Sequence, residues 1–150
     1  MTAFTLSEIE TLAVAAHAGR TDKAGRPYAE HLRAVAEGVR ARGGDEHQIA
    51  AAWLHDAVED EALSERWLTE APLPPEVKAM VLALTRRGGE DPSSYTARIL
   101  ATPGALLVKQ ADLAHNADPA RLARLDPATR DRLTAKYAHI HALLGLTPPT

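Results

Sequence analysis

The densest group of side chains able to do chemistry is the stretch HDAVED at residues 55–60. If the preceding helix continues through it, His55 aligns with Glu59, and Asp56 aligns with Asp60, because residues four apart share a helix face. One imidazole and three carboxylates would then occupy a small volume. Carboxylates that close repel one another. A divalent cation held by histidine nitrogen and aspartate oxygen would relieve that repulsion.

A metal site needs further ligands from other elements, and two positions in the sequence qualify. His31 lies beside the apolar stripe of a predicted helix and should point into the core. Asp112 interrupts an otherwise apolar helix and has polar neighbours three and four residues away. Together with His55 and Asp56, these residues give two imidazoles and two carboxylates from three helices.

On spacing alone, a simpler interpretation stays open for each of these residues. An inward histidine such as His31 is more often a core residue than a metal ligand. His55 could sit at a helix C-terminus, where an imidazolium meets the dipole, although the negative Glu59 would be unfavourable there. Asp112 could form a surface ion pair with Lys109.

Longer stretches of the sequence resemble one family. The order H…HD…D is the ligand pattern of HD-domain metal-dependent phosphohydrolases. Residues 28–31 (YAEH), 52–60 (AWLHDAVED) and 108–116 (VKQADLAHN) resemble three signature stretches of the (p)ppGpp hydrolase domain in RelA/SpoT-type proteins. Residues 17–20 (HAGR) and 23–27 (KAGRP) also look like that family. A resemblance over nearly the whole chain implies a small stand-alone alarmone hydrolase.

The resemblance implies a fold and a cofactor. The fold would be all-α, a single HD-domain helical bundle over residues 1–150. The cofactor would be one divalent metal ion, usually Mn²⁺ in this family, and mixed nitrogen and oxygen ligation suits that ion. The implied metal ligands are His31, His55, Asp56 and Asp112.

The resemblance also implies roles for four residues around the metal. Glu59 and Asp60 match an acidic pair that positions and activates the attacking water. Asn116 matches a residue that lines the nucleotide site, and Lys23 matches one that meets the phosphates. For Lys23, a solvated loop lysine is an equally good interpretation.

Three positions depart from the family pattern. Asp22 stands where members commonly have an arginine that packs on the guanine base, and an acid there would repel phosphates. Leu32 and Leu113 replace a proline and an arginine.

The implied reaction removes pyrophosphate from the 3′ position of (p)ppGpp, giving GDP or GTP. Asp22 keeps another nucleotide open as the substrate, and a catalytically silent nucleotide-binding domain is a further alternative.

The elements that must position these residues all read as helices, and no stretch alternates as a strand would. Proline and cap residues mark the predicted helix starts. One predicted helix runs onward to Val58. Another ends at Arg86 and Arg87, which could meet an anionic ligand, although a charged helix C-terminus is the better interpretation. His47, His139 and His141 read as surface positions, and His115 as a hydrogen bond between helices. The predicted starts are marked by Thr5, Asp45, Ser64, Pro74, Asp91, Thr102 and Asp126.

Composition limits the remaining possibilities. A chain of 150 residues suits one domain, and a net charge of −3 argues against a general nucleic-acid binder. The absence of cysteine excludes thiolate metal sites. The sequence shows neither a signal peptide nor an apolar stretch of the roughly 20 residues that a membrane span needs.

We therefore expect a cytoplasmic protein with a small-molecule nucleotide partner and no nucleic-acid or membrane partner. The oligomeric state stays open. Tyr28 is the aromatic residue expected near the motifs.

Overall fold

Helices form every regular element in residues 3–146, the part of the chain that this computed structural model describes. The prediction of an all-α fold is confirmed. In chain order the helices are α1 (Leu6–Ala16), α2 (Tyr28–Ala41), α3 (Glu46–Leu54), α4 (Glu65–Glu70), α5 (Pro75–Leu84), α6 (Pro92–Ala101), α7 (Ala105–Asn116), α8 (Pro119–Leu122) and α9 (Pro127–Leu143).

Side-chain caps begin most of these helices at the predicted positions. Thr5 and Asp45 each form a capping box, in which the cap side chain and a residue three positions on satisfy one another's backbone amides. Such caps stabilise a helix by about 1 kcal/mol, because the first amides of a helix have no intrahelical partner. Simple side-chain caps come from Ser64, Asp91 and Asp126.

The helix α3 is the centre of the core. Every residue from Ile49 to Leu54 is buried, which explains the continuous apolar run in this part of the sequence. This helix packs against α1, α2, α5 and α7, and α2 in turn packs along α7. Because α2 and α7 both contact α3, side chains from all three helices can meet at the C-terminal end of α3.

The predicted continuation of α3 to Val58 is wrong. The helix ends at Leu54, and residues 55–60 form successive turns. The amide of Ala57 donates to the Leu54 carbonyl at 3.0 Å, a tighter bond than the α-helical one. The chain then leaves the helix direction through Glu61, whose φ is +59°. The HDAVED stretch therefore lies on a compact turn at the end of a buried helix.

The predicted cap at Thr102 is also wrong, because this residue ends α6. The residue before α7 is Gly104, in the left-handed conformation with φ +85°. A side chain there would be strained, since L-residues disfavour that region. A Cβ atom on Gly104 would also lie 2.8 Å from Sδ of the buried Met80.

None of the helices in the described part of the chain combines the length and the apolar character that a membrane crossing requires.

We predict that Gly104→Ala destabilises the protein by about 2 kcal/mol, the sum of a left-handed alanine and a close contact in a packed core. Urea unfolding followed by circular dichroism would measure this change. Gly88→Ala is the matched control, because no heavy atom lies within 4 Å of its ideal Cβ position. Equal stability of the two variants would show that the backbone at position 104 does not require glycine.

Candidate active site

The four predicted metal ligands lie together at the C-terminal end of α3. Nε2 of His31 is 3.0 Å from Oδ1 of Asp112 and 3.7 Å from Oδ2 of Asp56. Nε2 of His55 is 3.3 Å and 3.0 Å from the same two oxygens. One ligand atom from each residue falls within 4.8 Å of all the others. We call these four residues the His/Asp cluster.

The histidines of the cluster are buried and oriented by their other ring nitrogens. His31 and His55 are each 2% exposed. Nδ1 of His55 lies 2.6 Å from the Ala52 carbonyl. A carbonyl only accepts, so in the neutral ring Nδ1 carries the proton and Nε2 keeps a lone pair toward the carboxylates. Two such nitrogens and two carboxylates form a donor set that fits a divalent transition-metal ion.

Charge in the cluster favours a cation. Burial by itself lowers the pKa of His55, but the carboxylates of Asp56 and Asp112 outweigh it and raise that pKa well above its usual value. Burial likewise opposes ionisation of Asp56, yet the neighbouring His55 lowers its pKa to about 2. The cluster therefore holds two ionised carboxylates that attract either a proton or a metal ion.

The ion pair of Asp112 with Lys109 is present but is not at the surface. Nζ of Lys109 lies 2.8 Å from Oδ2 of Asp112, and the two side chains are only 14% and 7% exposed. Burial opposes the ionisation of Asp112, but the charge of Lys109 keeps its pKa well below the ordinary value. Lys109 thus stabilises one oxygen of Asp112, while the other faces the two imidazoles.

The acidic pair of the HDAVED stretch lies beside the cluster and outside it. The backbone amide of Arg86 donates to Oε1 of Glu59 at 2.6 Å. Burial raises the pKa of Glu59, a direction that suits a group exchanging protons near neutral pH. The backbone carbonyl of Asp60 accepts from the guanidinium of Arg20. Both carboxylates line the same cavity as the cluster.

Tyr28 supports the His/Asp cluster directly. Its hydroxyl donates to Oδ2 of Asp56 at 2.5 Å, and its ring stacks on that of His17 with 5.2 Å between centroids. Burial and the charge of Asp56 raise the pKa of Tyr28, so the hydroxyl stays protonated and keeps donating. Sequence analysis placed Tyr28 near the motifs but did not identify this bond.

The cavity above the cluster has a volume of about 390 Å³ and brings in residues from distant parts of the chain. The predicted substrate contacts Lys23 and Asn116 both line it. Asn116 also donates to Oδ1 of Asp112 at 3.2 Å, which joins it to the cluster. Further lining residues are of two kinds, cations and aromatic rings. The sequence offered Arg86 as an alternative contact for an anionic ligand, whereas the others were not predicted to line the site: Arg121, Lys136, Tyr95 and Tyr137.

Comparison with known proteins identifies the family. A model of the HD domain matches residues 11–98. The chain belongs to the HD-domain family. A stretch of 80 residues, 53% of the chain, is 41% identical to a probable guanosine-3′,5′-bis(diphosphate) 3′-pyrophosphohydrolase of Synechocystis sp.. The chain spans about a tenth of the length of that relative.

These matches confirm the predicted family and support the predicted class of a metal-dependent phosphohydrolase. Three residues of the His/Asp cluster fall inside the matched HD-domain segment. Asp112 lies beyond residue 98, and its assignment depends on the ligand order in the sequence and on its distances to the two imidazoles.

Asp22 in this HD domain does not present a free negative charge to the cavity. Its Oδ2 pairs with Nη2 of Arg121 at 2.8 Å, and its side chain is 6% exposed. Its Oδ1 accepts from the backbone amides of Ala24 and Arg26, both at 2.9 Å. Burial opposes the ionisation of Asp22, but Arg121 and these amides lower its pKa. The expected repulsion of phosphates by Asp22 is therefore offset.

Several minor predictions for the HD domain are also settled. His115 bonds between helices as expected, with Nδ1 lying 2.8 Å from Nδ1 of His31. His141 was expected at the surface but is 6% exposed, with Nδ1 hydrogen-bonded to the Tyr137 carbonyl. Arg86 is not a helix terminus, because α5 ends at Leu84.

We predict that stabilisation of the HD domain by Mn²⁺ grows as pH rises. The pKa of His55 is raised in the folded protein, so the proton on His55 stabilises the metal-free fold at pH values below the ordinary histidine pKa. This stabilisation is lost as the pH rises through the pKa of His55 in the folded protein. A cation needs the unprotonated ring, so it competes better at higher pH. Melting temperatures of chelator-treated protein with and without Mn²⁺, from about pH 6 to about pH 9, would measure this.

The stabilisation should disappear in His55→Ala and persist in His47→Ala, which alters an exposed histidine on α3. A stabilisation that shrinks as pH rises, or that survives in His55→Ala, would contradict the assignment of the cluster.

Proposed function

We propose that this HD domain is a metal-dependent phosphohydrolase whose substrate is guanosine-3′,5′-bis(diphosphate) or its pentaphosphate analogue. The observation that carries the proposal is one cavity holding the His/Asp cluster, two further carboxylates and several cations. The relative named as a probable guanosine-3′,5′-bis(diphosphate) 3′-pyrophosphohydrolase supports the choice of substrate.

The cation would be held by His31, His55, Asp56 and Asp112, and we propose Mn²⁺ as its identity. When bound, such an ion lowers the pKa of water and offsets charge that builds on a phosphoryl oxygen. The residues of the chain contribute orientation, since Tyr28 fixes Asp56 and the Ala52 carbonyl fixes the ring of His55.

Glu59 is the proposed general base, with Asp60 helping to position the water. The water oxygen bonds to the phosphorus attached to the 3′ oxygen of the ribose, and its proton moves to a carboxylate oxygen of Glu59. The bond between that phosphorus and the 3′ oxygen breaks, the 3′ oxygen takes up a proton from solvent water, and pyrophosphate leaves. Glu59 then returns its proton to solvent. The hydrogen bond from the Arg86 amide holds Glu59 in place for this transfer.

The cations of the cavity match a substrate with several phosphate charges. Within residues 3–146, no carboxylate lies within 4 Å of the charged groups of Lys23, Arg86 or Lys136. Burial and the charges of Lys23 and Arg86 lower the pKa of Lys136, as expected for cations gathered without a carboxylate close by. An anionic ligand would relieve this repulsion.

The remaining wall of the cavity suits a nucleobase. Tyr95 and Tyr137 line it together with Leu84, Leu122 and Ile140. Ligand cavities typically combine such apolar walls with a few charged groups that set orientation. Together with the phosphate-facing cations, these side chains favour a nucleotide over inorganic polyphosphate.

A second candidate is the same hydrolysis on another nucleotide. Asp22, tied to Arg121, occupies the position where family members commonly place a base-packing arginine, so base selection differs locally from that pattern. A catalytically silent nucleotide-binding domain is disfavoured, because such a domain has no chemical need for the cluster and the acidic pair. We further propose that the protein acts in the cytoplasm on a small-molecule nucleotide, without a nucleic-acid or membrane partner.

We predict that the purified protein with Mn²⁺ releases pyrophosphate from ppGpp and pppGpp faster than it releases phosphate from GTP, GMP or NADPH. Anion-exchange chromatography of the products would measure each rate. Turnover confined to the other nucleotides would favour the second candidate. Absence of turnover with every divalent ion tested would favour the silent binding domain.

We predict that Glu59→Gln lowers kcat by a factor on the order of 100 to 10,000, while Mn²⁺ affinity stays close to that of wild type because Glu59 lies outside the His/Asp cluster. The glutamine side-chain oxygen can still accept a hydrogen bond from the backbone N–H of Arg86. Its amide group, however, cannot take the proton from the attacking water. Asp112→Ala should instead abolish Mn²⁺ binding. Steady-state kinetics and isothermal titration calorimetry separate the two effects. Glu37→Gln, at an exposed position on α2, is the matched control. Wild-type turnover in Glu59→Gln would show that Glu59 is not the general base.

A further inference from the structure

The guanidinium of Arg121 lies at the centre of a hydrogen-bond network beside the His/Asp cluster. Its Nη2 donates to Oδ2 of Asp22, and its Nη1 donates to Oδ1 of Asn116, both at 2.8 Å. Nη1 is also 3.0 Å from Nδ1 of His115 and 3.2 Å from Nδ1 of His31. The side chain is 16% exposed, so protein groups take most of its hydrogen bonds.

Two histidines lie beside Arg121 and contact each other through their Nδ1 atoms, which are 2.8 Å apart. Nη1 of Arg121 lies within hydrogen-bond distance of both nitrogens. These contacts hold Nδ1 of His31 on the side of α8, so that Nε2, on the opposite side of the ring, points toward Asp112, 3.0 Å away.

A second branch of the network reaches the loop before α2. Oδ1 of Asp22 organises this loop through the backbone amides of Ala24 and Arg26, and the loop carries the cavity-lining Lys23. Arg121 ties the loop to α8 through the other oxygen of Asp22. One guanidinium therefore contacts the metal side and the substrate side of the site.

We propose that Arg121 is a positioning residue, which holds the ring of His31 with Nε2 toward the proposed metal site and holds Asn116 and the Asp22 loop at the cavity wall. The inference rests on the proposed metal site and is independent of which nucleotide is the substrate. A planar guanidinium suits this role, because it directs several donors at fixed angles, whereas a lysine presents a single point charge.

The test uses the full chain with Arg121→Gln, Arg121→Lys and the control Arg124→Gln. Arg124 is an exposed arginine in the same segment, with no side-chain hydrogen bond or ion pair in the described part of the chain. Isothermal titration calorimetry measures Mn²⁺ affinity. Steady-state kinetics give kcat and KM separately, and a change mainly in KM is a readout that a general loss of folding would not produce.

We expect Arg121→Gln to weaken Mn²⁺ binding about tenfold, in the range found when a group that orients a metal ligand is removed. KM for the substrate should rise more than kcat falls. Arg121→Lys should recover part of each effect, and Arg124→Gln should behave as wild type.

Unchanged Mn²⁺ affinity and an unchanged KM in Arg121→Gln would overturn the inference. If that variant does not fold, wild-type affinity and KM in Arg121→Lys would overturn it equally. A wild-type protein that binds no Mn²⁺ would overturn the proposed metal site. In that event amide ¹H–¹⁵N spectra still test the loop: the inference predicts shifted signals of Ala24 and Arg26 in Arg121→Gln, and wild-type signals there would overturn it.

Discussion

The burial of two carboxylates against two imidazoles is the interaction on which the rest of the site depends. Asp112 is 5% exposed, and Asp56 has its charge balanced by His55 and its Oδ2 bonded by the Tyr28 hydroxyl. Ionised carboxylates are costly to bury without positive partners. Lys109 balances one charge of the cluster, and a second cation belongs between the imidazole Nε2 atoms and the carboxylate oxygens. The surrounding helices keep this arrangement in place.

The fold serves that requirement through α3. Because α3 is buried over its whole apolar run, it can end inside the molecule and carry His55 and Asp56 on a turn. Packing of α2 and α7 on either side of it supplies His31 and Asp112. The cavity then opens above the cluster, where charges from α7, α8, α9 and the loop after α5 converge.

Much of the site was predictable, because ligand order and residue type are properties of the sequence. His31, His55, Asp56 and Asp112 were each identified, and the structure brings them together. The turn after Leu54 was missed because its residues keep a helical spacing while the chain changes direction. Arg121 was missed for a different reason: its partner Asp22 is 99 residues away, and no local pattern records such a pair. Lys136 and Tyr137 likewise enter the cavity only through the packing of α9.

The central claim is that one cation binds between these four side chains. Crystals grown with Mn²⁺, with anomalous diffraction data collected on either side of the manganese edge, test it directly. We predict a single strong anomalous peak bonded to Nε2 of His31, Nε2 of His55 and the carboxylates of Asp56 and Asp112. A map with no peak in the cluster, or with manganese bound only elsewhere, would contradict the account.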